Sequence, residues 1–134
     1  MPYLLDTSVC IGYLRGRNAL LRQRVHARPI ADIRLCSVVK AELIGGTLRS
    51  RRPSADRAKV DAFVPQYLSV PFDDAAAEVF ARIRFHLATL GMPIGPYDMQ
   101  IAAIALANGL TVVTHNVAEF SRVPGLTVED WEIP

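Results

Sequence analysis

Four acidic residues stand out by position: Asp6, Glu42, Asp98 and Glu119. Asp6 ends the short apolar run Tyr3-Leu4-Leu5, and Glu42 lies one turn into the segment that follows Ile33-Arg34-Leu35-Cys36. Asp98 opens a long apolar stretch just after Pro96, and Glu119 comes shortly after the β-branched run Thr111-Val112-Val113-Thr114. Open α/β sheets bind ligands beyond the carboxyl ends of their strands, and these acids, each expected at the top of a different βα unit, can converge on one pocket. Carboxylates gathered in one pocket repel and raise each other's pKa unless a cation neutralises them. Mg²⁺ is the natural occupant, with Mn²⁺ able to substitute, because both are hard ions that favour oxygen ligands. Such an ion orients a water, lowers its pKa and stabilises the leaving oxygen of an in-line displacement at phosphorus. The chemistry expected is therefore metal-assisted cleavage of a phosphodiester in nucleic acid. It needs neither a nucleophilic side chain nor a phosphate-binding loop. Gly91 to Gly95 is no such loop, since it lacks a lysine and follows a helix.

Each acid also has a structural reading. Asp6 can cap the helix after it, although Thr7 and Ser8 are available for that task. Asp98 near a helix N-terminus is favoured by the dipole alone, and the same field keeps it ionised for a metal. Glu42 can be a surface residue. Asn116-Val117-Ala118-Glu119 fits a capping box, in which Glu119 would accept from the Asn116 backbone N–H. Asp73, Asp74, Glu78, Glu129, Asp130 and Glu132 read as caps and solvated termini.

The elements that must position these groups are legible in the hydrophobic pattern. Tyr3 to Leu5 predicts a strand, and Val9, Ile11 and Leu14 a helix ending near Gly16; an arginine-rich helix spans about Asn18 to Ala27. Asp32 to Cys36 is a second strand, after which Ser37 is expected to cap a helix reaching Gly45-Gly46 or just beyond. Arg49 to Pro53 is a loop, Ala55 to Tyr67 helical, and Leu68 to Val70 a short strand. Asp73 caps a helix with Val79, Phe80, Ile83, Leu87 and Leu90 on one face, ended by Gly91. Pro96 suits the first turn of the next helix, which is apolar nearly all round to Asn108. Thr111 to Thr114 is a strand, a short helical piece lies near Glu119, and a last strand surrounds Leu126 to Val128. Strands alternating with helices predict an α/β fold, a mostly parallel central sheet flanked by helices.

Bulk properties narrow the function classes. At 134 residues the chain is expected to form one domain spanning 1–134, and 51% apolar residues suffice for a packed core. A net charge of +2 tolerates a polyanionic partner without demanding one. The positive charge is mostly arginine, whose planar fork suits phosphate. Cys10 and Cys36 form no C-x-x-C pair and read as buried free thiols in a reducing compartment. The opening residues lack the pattern of a signal peptide, and no apolar run approaches a membrane span, so a soluble cytoplasmic protein with no membrane partner is expected. Of the histidines, only His115 is expected near the pocket. Trp131 reads as a packing anchor, and Arg49, Arg51, Arg52 and Arg57 as a solvated loop face or a contact with substrate or partner.

With these residues in place, the chain resembles PIN-domain ribonucleases over essentially its whole length, and closely the VapC toxins of bacterial toxin–antitoxin pairs. The carriers are Leu4-Leu5-Asp6-Thr7-Ser8, Ser37 to Leu43 followed by Gly45-Gly46, and Pro93 to Asp98. The remainder are Val113 to Phe120, Val123 to Leu126 and Glu129-Asp130-Trp131. The resemblance implies a PIN-like three-layer fold and a Mg²⁺-dependent endoribonuclease. It makes Asp6 and Asp98 the principal metal ligands, with Glu42 and Glu119 completing the cluster. Ser8, Thr114 and Asn116 are candidates for supporting them. Ser8 stands where family members often carry Asn, and Glu119 where they often carry Asp. A homodimer, a VapB-like antitoxin whose basic tail plugs the acidic pocket, and an RNA substrate such as transfer RNA are further implications. A haloacid dehalogenase-type phosphatase needs a second Asp at the place of Ser8. An inactive RNA- or protein-binding module is the remaining alternative, and a metal titration separates it from the nuclease.

Overall fold

The computed structural model describes residues 2–134. Five short strands form one fully parallel sheet in the order β3-β2-β1-β4-β5. They are β1 (Tyr3–Leu5), β2 (Ile33–Cys36), β3 (Leu68–Val70), β4 (Thr111–Val113) and β5 (Val128–Glu129). The connecting helices are α1 (Thr7–Arg15), α2 (Ala19–His26), α3 (Ser37–Leu48), α4 (Pro53–Phe63), α5 (Asp74–Thr89), α6 (Pro96–Ala107) and α7 (Val117–Phe120). They flank the sheet in a three-layer arrangement, as the alternating pattern predicted. Parallel strands are buried on both faces, and accordingly Leu4, Leu5, Val112 and Val113 are all fully buried. No helix among the described residues is long and apolar enough to cross a membrane.

The chain builds outward from β1 to β2 and β3, then returns to lay β4 and β5 on the other side. That reversal leaves a crevice at the carboxyl ends of β1 and β4, the topological switch point at which such sheets take ligands. Helix α6 shows why one residue can be pinned there. Ile101 through Ala105 are buried without a break, so its N-terminus is held against the crevice by burial on all sides. Helix α5, with Ile83 and Leu87 buried, packs along it.

Several expectations are corrected in detail. Asp6, not Thr7 or Ser8, caps α1, its Oδ1 accepting from the Val9 N–H at 2.8 Å. Cys36 occupies the N-cap of α3 without a side-chain bond, while the Ser37 hydroxyl accepts from the Phe72 N–H at 3.1 Å and ties α3 to the chain after β3. Helix α4 begins two residues earlier than expected, because Pro53 is already suited to a first helical turn. The last strand is Val128–Glu129, not Leu126 to Val128, because the chain must turn through Gly125, at φ 78°, before it reaches β4.

The C-terminal end is fastened by aromatic packing, as expected of Trp131. Its ring is buried edge-on to Tyr3 at 5.0 Å, and the Arg28 guanidinium lies 4.5 Å from the Tyr3 centroid and 4.7 Å from that of Trp131. This cation–π contact replaces the polar partner that the buried Arg28 Nε lacks.

Candidate metal centre

Asp6 leaves β1 directly into the switch point. Its N–H donates to the Val113 carbonyl at 3.1 Å, which registers it against the end of β4, and Thr114 bonds its carboxylate. Only 2% exposed, its carboxyl is pushed up from 3.8 to about 6. Burial is the main cause, repulsion from Glu132 and Glu42 adds to it, and the bonds from Thr114 and Val9 oppose it.

Asp98, in the first turn of α6, is half-buried, yet its carboxyl is also raised to about 6. Burial again leads, followed by repulsion from Glu119, Asp6 and Glu42 in that order. The four acids singled out in the sequence therefore lie within electrostatic reach of one pocket. Three are directly fastened. The Thr7 hydroxyl donates to Glu42 Oε1 at 2.6 Å, joining α1 to α3. Asp6 is held as described. Glu119 Oε1 accepts from the Gly95 N–H at 2.8 Å, three residues before Asp98.

The tether on Glu119 corrects the capping-box reading. The Asn116 N–H donates to Thr114 Oγ1 at 2.9 Å instead, and Asn116 Nδ2 donates to the other oxygen of Glu119. Thr114 thus serves both Asp6 and the turn after β4, and Asn116 donates to Glu119. Ser8 is exposed, and its neighbour Thr7 takes the position beside Glu42. Thr7 was missed because a residue directly after a cap reads as helix surface; only the α1–α3 crossing reveals its partner.

Glu119→Gln and Glu119→Ala separate the tether from the charge. Glutamine can still accept from Gly95, so its stability should stay near wild type, whereas alanine should cost on the order of 1 kcal/mol, the value of a cap-like bond. If the charge acts on the site, both variants should cut about tenfold more slowly or worse, about 1.4 kcal/mol of transition-state stabilisation. Wild-type rates for Glu119→Gln in a single-turnover assay would confine the residue to its tether.

A second group escaped the sequence reading. Asp130 and Glu132 were expected as solvated terminal acids, but β5 runs parallel to β4 and returns them to the same sheet edge. His115 Nδ1–H donates to Asp130 Oδ2 at 3.0 Å, with Glu132 Oε2 4.0 Å away. Asp130 Oδ1 accepts from the Glu132 N–H, and Glu132 adds to the repulsion on Asp6. Their signal was the strand order, which local pattern does not carry.

Oxygen donors of this kind are what a hard divalent ion takes, whereas the group whose ligand atoms already lie within 4.8 Å of one another among the described residues is His115, Asp130 and Glu132. Among the described residues the salt bridges are Arg57–Asp61, Arg82–Glu78 and the His115 pairs with Asp130 and Glu132. None of the four acids has an arginine or lysine partner, and Asp6 and Asp98 are raised toward neutrality by burial first and by the neighbouring carboxylates second. Oxygen-only donors with uncompensated repulsion are what Mg²⁺ or Mn²⁺ relieves.

The fold and the sequence are shared with known proteins. The PIN domain family matches residues 3–126. The "tRNA(fMet)-specific endonuclease VapC" of Shigella flexneri is 37% identical over 131 residues, 98% of each chain. The crystal structure of DNA-bound VapBC from Salmonella typhimurium superposes with a TM-score of 0.92 at 36% identity, covering 98% of both chains. VapBC2 from Rickettsia felis, bound to a fragment of promoter DNA, gives 0.90 at 29% identity over 98% of this chain and 99% of that one. The chain belongs to the PIN-domain family, in its VapC branch.

Proposed function

We propose that this protein is a divalent-metal-dependent endoribonuclease, the toxin of a toxin–antitoxin pair, with transfer RNA as its substrate class. The observation that carries the reading is the set of four converging carboxylates without a counter-cation. Asp6 and Asp98, both raised to about 6, are the residues that would hold Mg²⁺. The bound ion would supply charge for the phosphate, a lowered water pKa and stabilisation of the leaving oxygen. Thr7 fixes the Glu42 carboxylate at the pocket wall, where it can accept the proton of the attacking water. Glu119 adds negative charge beside Asp98 and holds the loop that positions it. Burial of Asp6 keeps the site dry on the sheet side, which strengthens every charge interaction within it.

Relatives support the substrate and partner. The enzymes of Shigella flexneri and Salmonella typhimurium are named as endonucleases specific for tRNA(fMet), and the solved neighbours are VapBC assemblies. A VapB-like antitoxin and a homodimeric toxin are accordingly part of the reading. An inactive binding module accounts less well for the site, since a surface built only to hold a polyanion gains nothing from four unpaired acids.

Purified protein should cut bacterial transfer RNA with Mg²⁺ or Mn²⁺ and stop completely with EDTA, restored by adding back metal. Undiminished cutting after exhaustive chelation would sink the metal-dependent mechanism. Expression without an antitoxin should arrest bacterial growth, and the Asp98→Asn form should not; unimpaired growth with abundant folded wild-type protein would remove the toxin role.

A further inference from the structure

Two adjoining grooves, of about 520 and 630 Å³, run along helix α3 and share Ile11, Glu42, Gly46 and Arg49 in their walls. They form one path with the pocket acid Glu42 at its middle. One arm carries Thr7, Tyr97 and Gln100, the last two on either side of Asp98 in α6. The other runs between α1, α3 and α4 and carries Arg15, Arg51, Arg52 and Lys59 besides Arg49. None of these five cations is in a salt bridge among the described residues. The acids on that arm are Glu42, which takes the Thr7 hydroxyl, and Asp56, which takes the Ser50 hydroxyl.

We infer that this path is the track of a single RNA strand across the enzyme. The basic arm grips phosphates on one side of the cleaved bond, and the Tyr97 ring stacks a base on the other. The inference rests on the nuclease reading and adds where its substrate lies. Three observations support it. The cations line a groove instead of being scattered, and arginine presents a planar fork to phosphate. Tyr97 is 57% exposed in the first turn of a helix in which Met99 and Ile101 to Ala105 are buried, which leaves its face available to a base. A Cβ built on Gly46 meets nothing within 4 Å, so glycine keeps the floor open where the two arms meet. A basic protein tail suits the acidic pocket but is repelled by this arm, so charge favours RNA as its occupant.

Binding can be read apart from cutting by placing every variant in an Asp98→Asn background and measuring anisotropy of fluorescently labelled, unfractionated bacterial transfer RNA. Arg49→Ala, Arg51→Ala and Arg52→Ala combined should weaken binding at least tenfold. The slope of log affinity against log salt should fall by about 2, since each phosphate contact on a single strand contributes roughly 0.7. Tyr97→Ala should weaken binding roughly fivefold or more with the slope unchanged, and Tyr97→Phe should restore it. Gly46→Leu should fill the path and weaken binding while leaving thermal stability equal or higher, because leucine favours a helix interior over glycine. Arg82→Ala with Arg84→Ala, on α5 outside the path, should change nothing. Parental affinity and slope in the triple-arginine variant, or no binding by the parent itself, would overturn the track. So would a triple variant that binds RNA normally but loses a protein partner. Wild-type protein that cuts no RNA with metal present would instead defeat the nuclease reading.

Discussion

Asp98→Asn is expected to reduce cleavage by on the order of a thousandfold, about 4 kcal/mol of transition-state stabilisation, while the metal-free protein becomes more stable. Both effects have one origin. The Asp98 carboxylate is pressed by burial and by Glu119, Asp6 and Glu42, and nothing in the protein offsets that pressure. Asparagine keeps the shape and removes the charge, so it removes a metal ligand and a source of strain together. Asp6→Asn should behave alike, since asparagine caps a helix about as well as aspartate and can still accept from the Val9 N–H. Cleavage rates and EDTA-treated melting temperatures check the pair. A variant that cuts at the wild-type rate takes its residue out of the site, and one that melts well below wild type shows that the charge was supporting the fold.

The metal-free protein should lose stability as pH rises from about 4 to about 6. A carboxyl whose pKa is higher in the folded state holds its proton more tightly there, so between 3.8 and about 6 the native protein binds more protons than the unfolded chain. Stability therefore falls with rising pH across that window and levels off above it. For Asp6 the displacement of about two units corresponds to roughly 3 kcal/mol. Asp98 contributes less, because its half-exposed carboxyl is screened by solvent. Urea unfolding of wild type and Asp6→Asn in EDTA isolates the effect: the advantage of the variant should be near zero at pH 4 and reach its full size by pH 7. Saturating Mg²⁺ should reverse the trend, since a metal binds the ionised form and stabilises whatever it binds. A variant advantage independent of pH would show that Asp6 is not held near neutrality.

Much of this was readable from local pattern, and what was not had a common cause. Leu4, Leu5, Val112 and Val113 declare buried strands by type, Pro96 and Gly91 punctuate helices, and Asp6, Glu42 and Glu119 come after strands, whereas Asp98 enters from α6, which follows helix α5 with no strand between them. Glu119 was placed in the right short helix but given the wrong partner, because its bond to Gly95 spans 24 positions and no capping rule reaches that far. Thr7 and Glu42, 35 positions apart, were hidden for the same reason. Asp130 and Glu132 were dismissed because strand order, which brings β5 beside β4, is a property of the assembled sheet. Local chemistry located the groups; only tertiary pairing assigned their partners.

The central place of β1 has a bearing on synthesis. Tyr3 pairs with Ile33 on one side and Thr111 on the other, so β1 waits for a strand made about a hundred residues later. At roughly 5–20 residues per second, the interval between them is about 5–20 s on the ribosome. Throughout it Asp6 has neither the Val113 carbonyl that registers it nor Asp98 and Glu119 beside it. The full set of acids therefore comes together only after β4 has joined β1.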